Sequence, residues 1–242
     1  MKITNVITIF LLGIFFFGCE PKEDPERTIE TGTVTDIDGN VYKTVKIGDQ
    51  WWMAENLNVK KYRDGTFLQN IENENDWSTA TIGAYCVYEN RHDLTGIPGQ
   101  LYNWFAINNA KGLAPDGWHI PTDDEWQKLE QAIGMSSTDA MRNGWRGTNE
   151  GEKLKLASPN GWTKFENVWS TNESGFTALA GGCRLPDATY GQPALFSTGF
   201  WWTLTESNPD EAFYRYLDYK NRNVFRNHDS KKYGFSVRCV KD

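Results

Sequence analysis

Hydrophobic and polar residues alternate in several short segments of this chain, with glycine, asparagine and aspartate between them. Val41–Ile47 alternates in the manner of a half-buried strand, Gly48 and Asp49 supply a turn, and Gln50–Met53 runs back. This pattern predicts a β-hairpin over residues 41–53. Further short strands are predicted at residues 84–88, 174–179, 199–205, 212–219, 223–226 and 233–240.

Two segments have the spacing of large apolar residues that is typical of helices. Residues 101–107 predict a short helix, and residues 123–133 predict a longer one with a single apolar stripe. Thr122 and Glu125 form a capping-box pattern at the start of the second helix. Together these elements predict an α+β domain, with two short helices on a loop-rich antiparallel sheet.

The N-terminus has the pattern of a lipoprotein signal peptide. Lys2 supplies a positive charge, residues 7–17 are nearly all apolar, and Gly18 precedes Cys19. We therefore predict cleavage after residue 18 and lipid on Cys19, which anchors the chain to a membrane without spanning it. Residues 19–31 are charged and contain prolines, as expected of a solvated tether. The segment Lys22-Glu23-Asp24 resembles the surface-export signal of Bacteroidetes lipoproteins, so we expect display on the cell surface.

The composition of the remaining segment, residues 32–242, fits one domain of ordinary size. The 242-residue chain carries a net charge of −7 and has no basic run, which argues against nucleic acid as a partner. It is rich in aromatic residues, with 11 Trp, 13 Phe and 10 Tyr. An exported location permits a disulfide between two of the three cysteines beyond Cys19, and sequence alone leaves the pairing open.

Two tryptophan pairs, Trp51-Trp52 and Trp201-Trp202, are candidates for binding or for the core. Neighbouring residues of a strand point to opposite faces, so one ring of each pair needs cover from a helix, a loop or a ligand. Burial of both rings is favoured, and Trp51 and Trp202 are the candidates for stacking on a sugar. The tryptophans of polar loops are expected to be partly exposed, namely Trp77, Trp145, Trp162 and Trp169.

A glycine- and proline-punctuated loop supplies four further candidate ligand-binding residues: Arg184, Asp187, Tyr190 and Gln192. An ordinary surface loop explains their composition as well. None of the three histidines has the spacing of a zinc site, and neither a nucleophile elbow nor a phosphate-binding loop occurs. We therefore predict no catalytic residues, no metal site and no cofactor, although a convergent pair of carboxylates for hydrolysis stays open.

The blocks of this chain, taken in order, resemble the Fibrobacter succinogenes major paralogous domain of surface lipoproteins. The resemblance covers residues 32–242 and rests on residues 42–57, Leu101-Tyr102-Asn103-Trp104, residues 117–122, Glu125-Trp126, residues 173–179, residues 200–203 and residues 233–239. The family implies no established activity. The Cys86 and Cys239 contexts look like those of other members, which implies a Cys86–Cys239 disulfide.

More remotely, Pro121-Thr122 with Glu125-Trp126 and the closing block 234–239 are similar to formylglycine-generating enzymes and C-type lectin-like domains. This resemblance implies a C-type lectin-like fold. Those enzymes use reactive cysteines ahead of the closing block, and residues 205–232 contain none. The calcium site of C-type lectins is also incomplete, because Gln192-Pro193 is followed by alanine instead of an acid.

The sequence therefore predicts a lipid-anchored, surface-displayed module without enzymatic activity. Its expected partners are the membrane, through the lipid, and an extracellular polysaccharide or protein. Two alternatives stay open: a structural or adhesion component of the envelope built on a degenerate enzyme fold, and a hydrolase without a recognisable motif.

Overall fold

Three sheets form the framework, and all but one of their strand pairs are antiparallel. The computed structural model describes residues 29–92, 99–159, 161–191 and 195–242. The predicted signal peptide, Cys19 and most of the predicted tether lie outside these residues. The strands of the described part are β1 (Thr31–Thr35), β2 (Val41–Ile47), β3 (Gln50–Met53), β4 (Gln69–Asn70), β5 (Ala84–Cys86), β6 (Leu101–Tyr102), β7 (Trp118–His119), β8 (Gly144–Arg146), β9 (Thr198–Asn208), β10 (Glu211–Asp218), β11 (Val224–Ser230) and β12 (Val240–Lys241).

Five short α-helices accompany the sheets in the described part of the chain: α1 (Glu74–Thr79), α2 (Trp104–Ile107), α3 (Asp123–Ala132), α4 (Ser137–Met141) and α5 (Glu150–Leu154). One sheet has the order β1-β2-β3-β12-β7, a second β8-β11-β10-β9, and a third β4-β5-β6. The predicted α+β class is confirmed. More helices form than the two expected, because α1, α4 and α5 are too short to show a helical period in the sequence.

Helix α3 begins where the capping-box pattern predicts. The Thr122 hydroxyl accepts from the Glu125 amide, and the Glu125 carboxylate accepts from the Thr122 amide at 2.8 Å. Trp126 and Leu129 point into the core, where the Trp126 ring lies 5.1 Å from Trp52 and 5.4 Å from Phe176. This aromatic cluster packs α3 against the hairpin of β2 and β3, which is confirmed at its predicted position.

Two predicted elements differ in the structure. The helix expected over residues 101–107 is confined to α2, because residues 101 and 102 pair with β5 and Asn103 caps the helix. The strand expected at residues 174–179 does not form. Gly175 and Thr177 have φ angles of 71° and 58°, which no extended strand accommodates.

The C-terminal segment runs through the middle of the molecule. Residues 234–240 are all buried, on both of the alternating faces of the predicted closing strand. The Ser236 hydroxyl accepts a hydrogen bond from the Asn56 side chain, and Arg238 donates to the carbonyls of Phe176 and Thr177. Both faces of this segment are therefore covered.

A candidate ligand-binding face on the four-stranded sheet

The sheet β8-β11-β10-β9 has two chemically different faces. Side chains alternate along each strand, so Arg215 and Tyr216 of β10 point in opposite directions. Pairing aligns Arg215 with Arg226 of β11 on one face, and Tyr216 with Phe225 on the other. The arginine face packs against α3, and the aromatic face is partly open to solvent.

Four half-buried rings form a row across the aromatic face. Trp145 pairs with Phe225, Phe225 with Tyr216, and Tyr216 with Phe200, one ring from each strand. The Phe200 and Tyr216 rings stack with centroids 4.5 Å apart, and the Trp145 ring lies 5.3 Å from Tyr216. Because the Tyr216 ring contacts both Phe200 and Trp145, the four rings form a compact row about two ring contacts long. We call these residues, together with Tyr214 and Tyr233, the aromatic face.

Polar groups without partners border the aromatic row. Tyr214 and Asn227 form the next cross-strand pair of the sheet, and Tyr233 lies beside them, with its ring 5.1 Å from that of Phe235. Among the described residues, neither tyrosine hydroxyl nor the Asn227 amide makes a hydrogen bond, and the Tyr214 hydroxyl is not sealed from solvent. These groups are therefore available to a ligand.

Acidic side chains surround these polar groups. Burial raises the pKa of Tyr233 to about 12, and the Asp229 and Asp187 carboxylates add to the shift. Burial also raises the pKa of Asp229, with a further contribution from Glu211. Hydrogen bonds from Thr189 lower the pKa of the exposed Asp187, which is therefore ionised at neutral pH. The edge of the aromatic face thus carries negative charge.

The opposite face of the sheet is fixed to α3 by buried ion pairs. Asp123 accepts from Arg215 at 2.6 Å and from Arg226 at 2.7 Å, and Glu130 accepts from Arg215 at 2.7 Å and from Arg146 at 2.9 Å. Burial opposes ionisation of Asp123, but the arginines outweigh it and lower its pKa to about 2. Because β8, β10 and β11 each contribute one arginine, this cluster holds the strands that carry the aromatic row.

A second polar cluster joins Asp242 to the start of α3 through His119. Its Nδ1 lies 2.6 Å from Asp242 Oδ1, and its Nε2 lies 2.8 Å from Glu125 Oε1. Burial alone would lower the pKa of His119, but hydrogen bonds to the two carboxylates outweigh it and raise the pKa above 6.5. Both ring nitrogens are engaged, so His119 joins the two segments as a clamp.

The His119 clamp predicts a pH-dependent contribution to stability. Because folding raises the His119 pKa, the protonated ring stabilises the fold below about pH 6.5, and this contribution is lost as the pH rises through the folded-state pKa. The substitution His119→Gln should therefore lower the urea midpoint at about pH 5.5, and the deficit should shrink towards about pH 9. His92→Gln, at an exposed surface pair, is the control. A deficit that is constant with pH would contradict the clamp.

The predicted ligand-binding residues fall into two groups. Trp202 is fully buried and donates from Nε1 to the Tyr102 carbonyl, so its prediction as a stacking platform is wrong. Arg184 is also fully buried, with its guanidinium 4.6 Å from the Trp77 ring and 5.4 Å from the Tyr190 ring. It donates to the Ile71 and Glu72 carbonyls and is therefore a packing residue.

The other predicted residues keep some solvent exposure. Trp51 is half-buried against the core, and the half-buried Tyr190 donates its hydroxyl to the Val87 carbonyl at 3.2 Å. Asp187 is exposed near Tyr233, at the edge of the aromatic face. Gln192 lies outside the described residues.

Two of the four tryptophans predicted to be partly exposed are exposed in the structure, and two are buried. Trp169 is 67% exposed and Trp145 is half-buried on the aromatic face, as predicted. Trp77 and Trp162 are buried instead. Their indole N–H groups donate to the Lys232 and Ala178 carbonyls, which satisfies the polar atom that would otherwise oppose burial.

The predicted Cys86–Cys239 disulfide is absent. Both thiols and that of Cys183 are free and buried. Cys86 lies in the small cluster around Trp77 and Leu101, whereas Cys239 lies in the central core beside Met53. The two cysteines thus belong to separate parts of the interior, which explains why no bridge joins them.

The aromatic face is a feature that the sequence alone did not predict. Tyr214 and Tyr216 alternate with Arg215 on a strand that was correctly located, and this period-two pattern was the available signal. The neighbours of these residues are set by strand order, which places β8 beside β11 although they are distant in the chain.

The described residues show neither a metal site nor a membrane-crossing helix. Within them, no three His, Cys, Asp or Glu side chains converge so as to hold a metal ion. In the same residues, none of the helices combines the length and the apolarity needed to traverse a bilayer.

The geometry defines an α+β domain with one aromatic sheet face. Comparison with protein families identifies the family of this domain. Residues 45–241 match the model of the Fibrobacter succinogenes major domain. The chain therefore belongs to this family of paralogous domains, which indicates a surface-type protein. Searches of curated proteins and of solved structures give no match.

Proposed function

We propose that this protein is a lipid-anchored, surface-displayed recognition module without enzymatic activity, and that it binds a neutral polysaccharide on the aromatic face. The observation that carries the proposal is the row of four aromatic rings beside the unpaired hydroxyls of Tyr214 and Tyr233 and the unpaired Asn227 amide. Binding sites generally combine an apolar surface with a few polar groups that fix orientation.

A polysaccharide suits this combination. The C–H face of a sugar ring is apolar and packs on an aromatic ring, while its hydroxyls need hydrogen-bond partners at the edge. The adjoining rings of the row offer apolar surface to consecutive sugar units, which suits a chain of sugars. The carboxylates of Asp187 and Asp229 at the edge favour a neutral chain, since a uronic acid or sulfated sugar would be repelled.

The state of the cysteines supports a role without covalent catalysis. Burial raises the pKa of Cys86 to about 11 and that of Cys183 to about 12, and it also raises the pKa of Cys239. A thiol must ionise and reach its substrate to act as a nucleophile, and these groups are protonated and enclosed at neutral pH.

Membrane anchoring and the finer fold are also part of the proposal. The apolar run ending at Cys19 supports lipidation, and the loop-rich antiparallel architecture is compatible with a C-type lectin-like domain. The anchor is tested by the intact mass of the native protein, which should include acyl chains on Cys19. An unmodified Cys19 would rule out lipidation.

The function is tested by retention of the purified protein on immobilised polysaccharides. We expect retention on at least one neutral glycan, weaker retention on acidic glycans, and no change on adding EDTA. Retention that EDTA abolishes would contradict binding without calcium. Failure to bind any neutral glycan in a broad panel, or turnover of a bound one, would overturn the proposal.

A further inference from the structure

The first strand of the five-stranded sheet has a free edge. β1 pairs with β2 on one side only, and it lies at the end of the strand order. The Lys46 amide donates to the Glu30 carbonyl at 2.9 Å, and Glu30, Gly32 and Val34 therefore turn their backbone groups towards β2. The amides and carbonyls of Thr31, Thr33 and Thr35 consequently point outward.

These outward groups have no partner within the described chain. Thr31, Thr33 and Thr35 are exposed, and no hydrogen bond reaches their outward backbone groups. Proteins usually protect such an edge with lysine, proline, a bulge or a covering loop. The segment Thr-Gly-Thr-Val-Thr has neither lysine nor proline, and its pairing with β2 runs without a bulge.

We propose that β1 pairs antiparallel with β1 of a second copy of this chain, about a two-fold axis through Thr33. In this register Thr33 faces Thr33, and Thr31 faces Thr35 of the second copy. All three threonines present outward N–H and C=O groups, so the two strands form six hydrogen bonds. The two five-stranded sheets thereby become one continuous sheet, and this pairing goes beyond the proposed glycan binding.

The side chains are self-complementary in the same register. Val34 faces Gly32 of the second copy. Because glycine has no side chain, the valine side chain has room at this position. Exposed apolar residues also flank the strand, because Ile29 is 42% and Ile37 is 46% exposed. The two-fold axis directs Ile29 of one copy towards Ile37 of the other, where burial of apolar surface favours association.

The charges at the ends of the strand do not prevent this pairing. Glu30 lies opposite Asp36 of the second copy, and both are acidic. Glu30 already forms an ion pair with Lys46 at 2.9 Å, and Asp36 accepts hydrogen bonds from the Asn40 amide and the Tyr42 hydroxyl. Each carboxylate is therefore compensated within its own copy.

Cysteine cross-linking tests the register directly. Directly opposed residues of a hydrogen-bonded antiparallel pair have Cα atoms about 5.5 Å apart, within disulfide range. The full chain carrying Thr33→Cys should therefore give a disulfide-linked dimer under mild oxidation at high protein concentration. Thr31→Cys and Thr35→Cys should each give none, because each lies about 13 Å from its own symmetry mate. The double variant Thr31→Cys/Thr35→Cys should give the dimer again.

A proline substitution tests the same interface without oxidation. Thr33→Pro removes an outward N–H and leaves the ladder with β2 intact, as proline on an edge strand allows. It should abolish the dimer detected by sedimentation of the parent protein, whereas Thr33→Val, which keeps the N–H, should not. The unmodified chain is the control for other thiols, which are Cys19 and the buried Cys86, Cys183 and Cys239. A monomeric parent at high concentration, or equal cross-linking of all single variants, would overturn the proposal.

Discussion

Replacing Asp123 with asparagine is expected to lower the free energy of unfolding by about 3–5 kcal/mol. Asp123 is 4% exposed and accepts hydrogen bonds from both Arg215 and Arg226. Asparagine keeps the shape and loses the charge, so Glu130 alone would face the buried guanidinium groups of three arginines. Removing one member of a buried ion cluster leaves charge uncompensated in a medium that solvates it poorly.

Urea unfolding of the purified Asp123→Asn variant measures this effect. Asp124→Asn is the matched control, because Asp124 occupies the next position of α3 and is exposed. The Asp124→Asn substitution is expected to lower the free energy of unfolding by less than about 1 kcal/mol, which is the usual contribution of a surface charge near the start of a helix. A loss below about 1 kcal/mol for Asp123→Asn as well would show that the ion cluster contributes little.

Acid should lower the free energy of unfolding of the unsubstituted protein, because Asp123 becomes protonated. The pKa of Asp123 is lowered by folding from 3.8 to about 2, so its ionised form contributes stability that is present above about pH 3.8. That contribution is lost as the pH falls towards about 2. In Asp123→Asn this pH-dependent part is missing.

Local patterns in the sequence predicted those elements whose stability depends on nearby residues. The capping box of Thr122 and Glu125 located α3, and its apolar stripe correctly predicted burial of Trp126 and Leu129. The hairpin of β2 and β3 followed from alternation around Gly48. In each case the residues that fix the backbone lie within a few positions of one another.

The residues whose burial was predicted wrongly are those covered by partners distant in the sequence. Arg184 occurs in a glycine- and proline-punctuated segment typical of a surface loop, but the Ile71 carbonyl that accepts from it is 113 residues away. Trp202 is covered by Phe235 of the closing segment, with ring centroids 4.4 Å apart. Neither partner could be identified from the sequence around Arg184 or Trp202.

The aromatic face depends on both kinds of information. Alternation in β10 places Arg215 on the buried side and Tyr216 on the open side, and this pattern is visible in the sequence. The row of four rings also requires that β8 lie beside β11, and the buried arginines favour this order because Arg146 and Arg226 both reach acids on α3. The ion cluster therefore stabilises the arrangement that presents the aromatic row.

Replacing Trp145 with alanine is expected to weaken polysaccharide retention by about tenfold to thirtyfold. Trp145 is the end member of the aromatic row and is only half-buried, so its ring offers apolar surface to a sugar. Truncation removes this surface and leaves the cluster of Arg146 and Glu130 on the opposite face untouched. The affinity is measured by titrating the glycan that retains the parent protein.

Matched substitutions separate binding from folding in this experiment. Trp169→Ala removes a tryptophan that is 67% exposed and outside the aromatic face, so it should leave affinity within about twofold. Trp145→Phe keeps an aromatic ring and should retain most of the binding, while thermal unfolding of Trp145→Ala shows whether the domain remains folded at the assay temperature. If Trp169→Ala weakened retention and folded Trp145→Ala did not, the polysaccharide would bind on the loop surface around Trp169, because an aromatic ring contributes to binding only where the sugar packs against it.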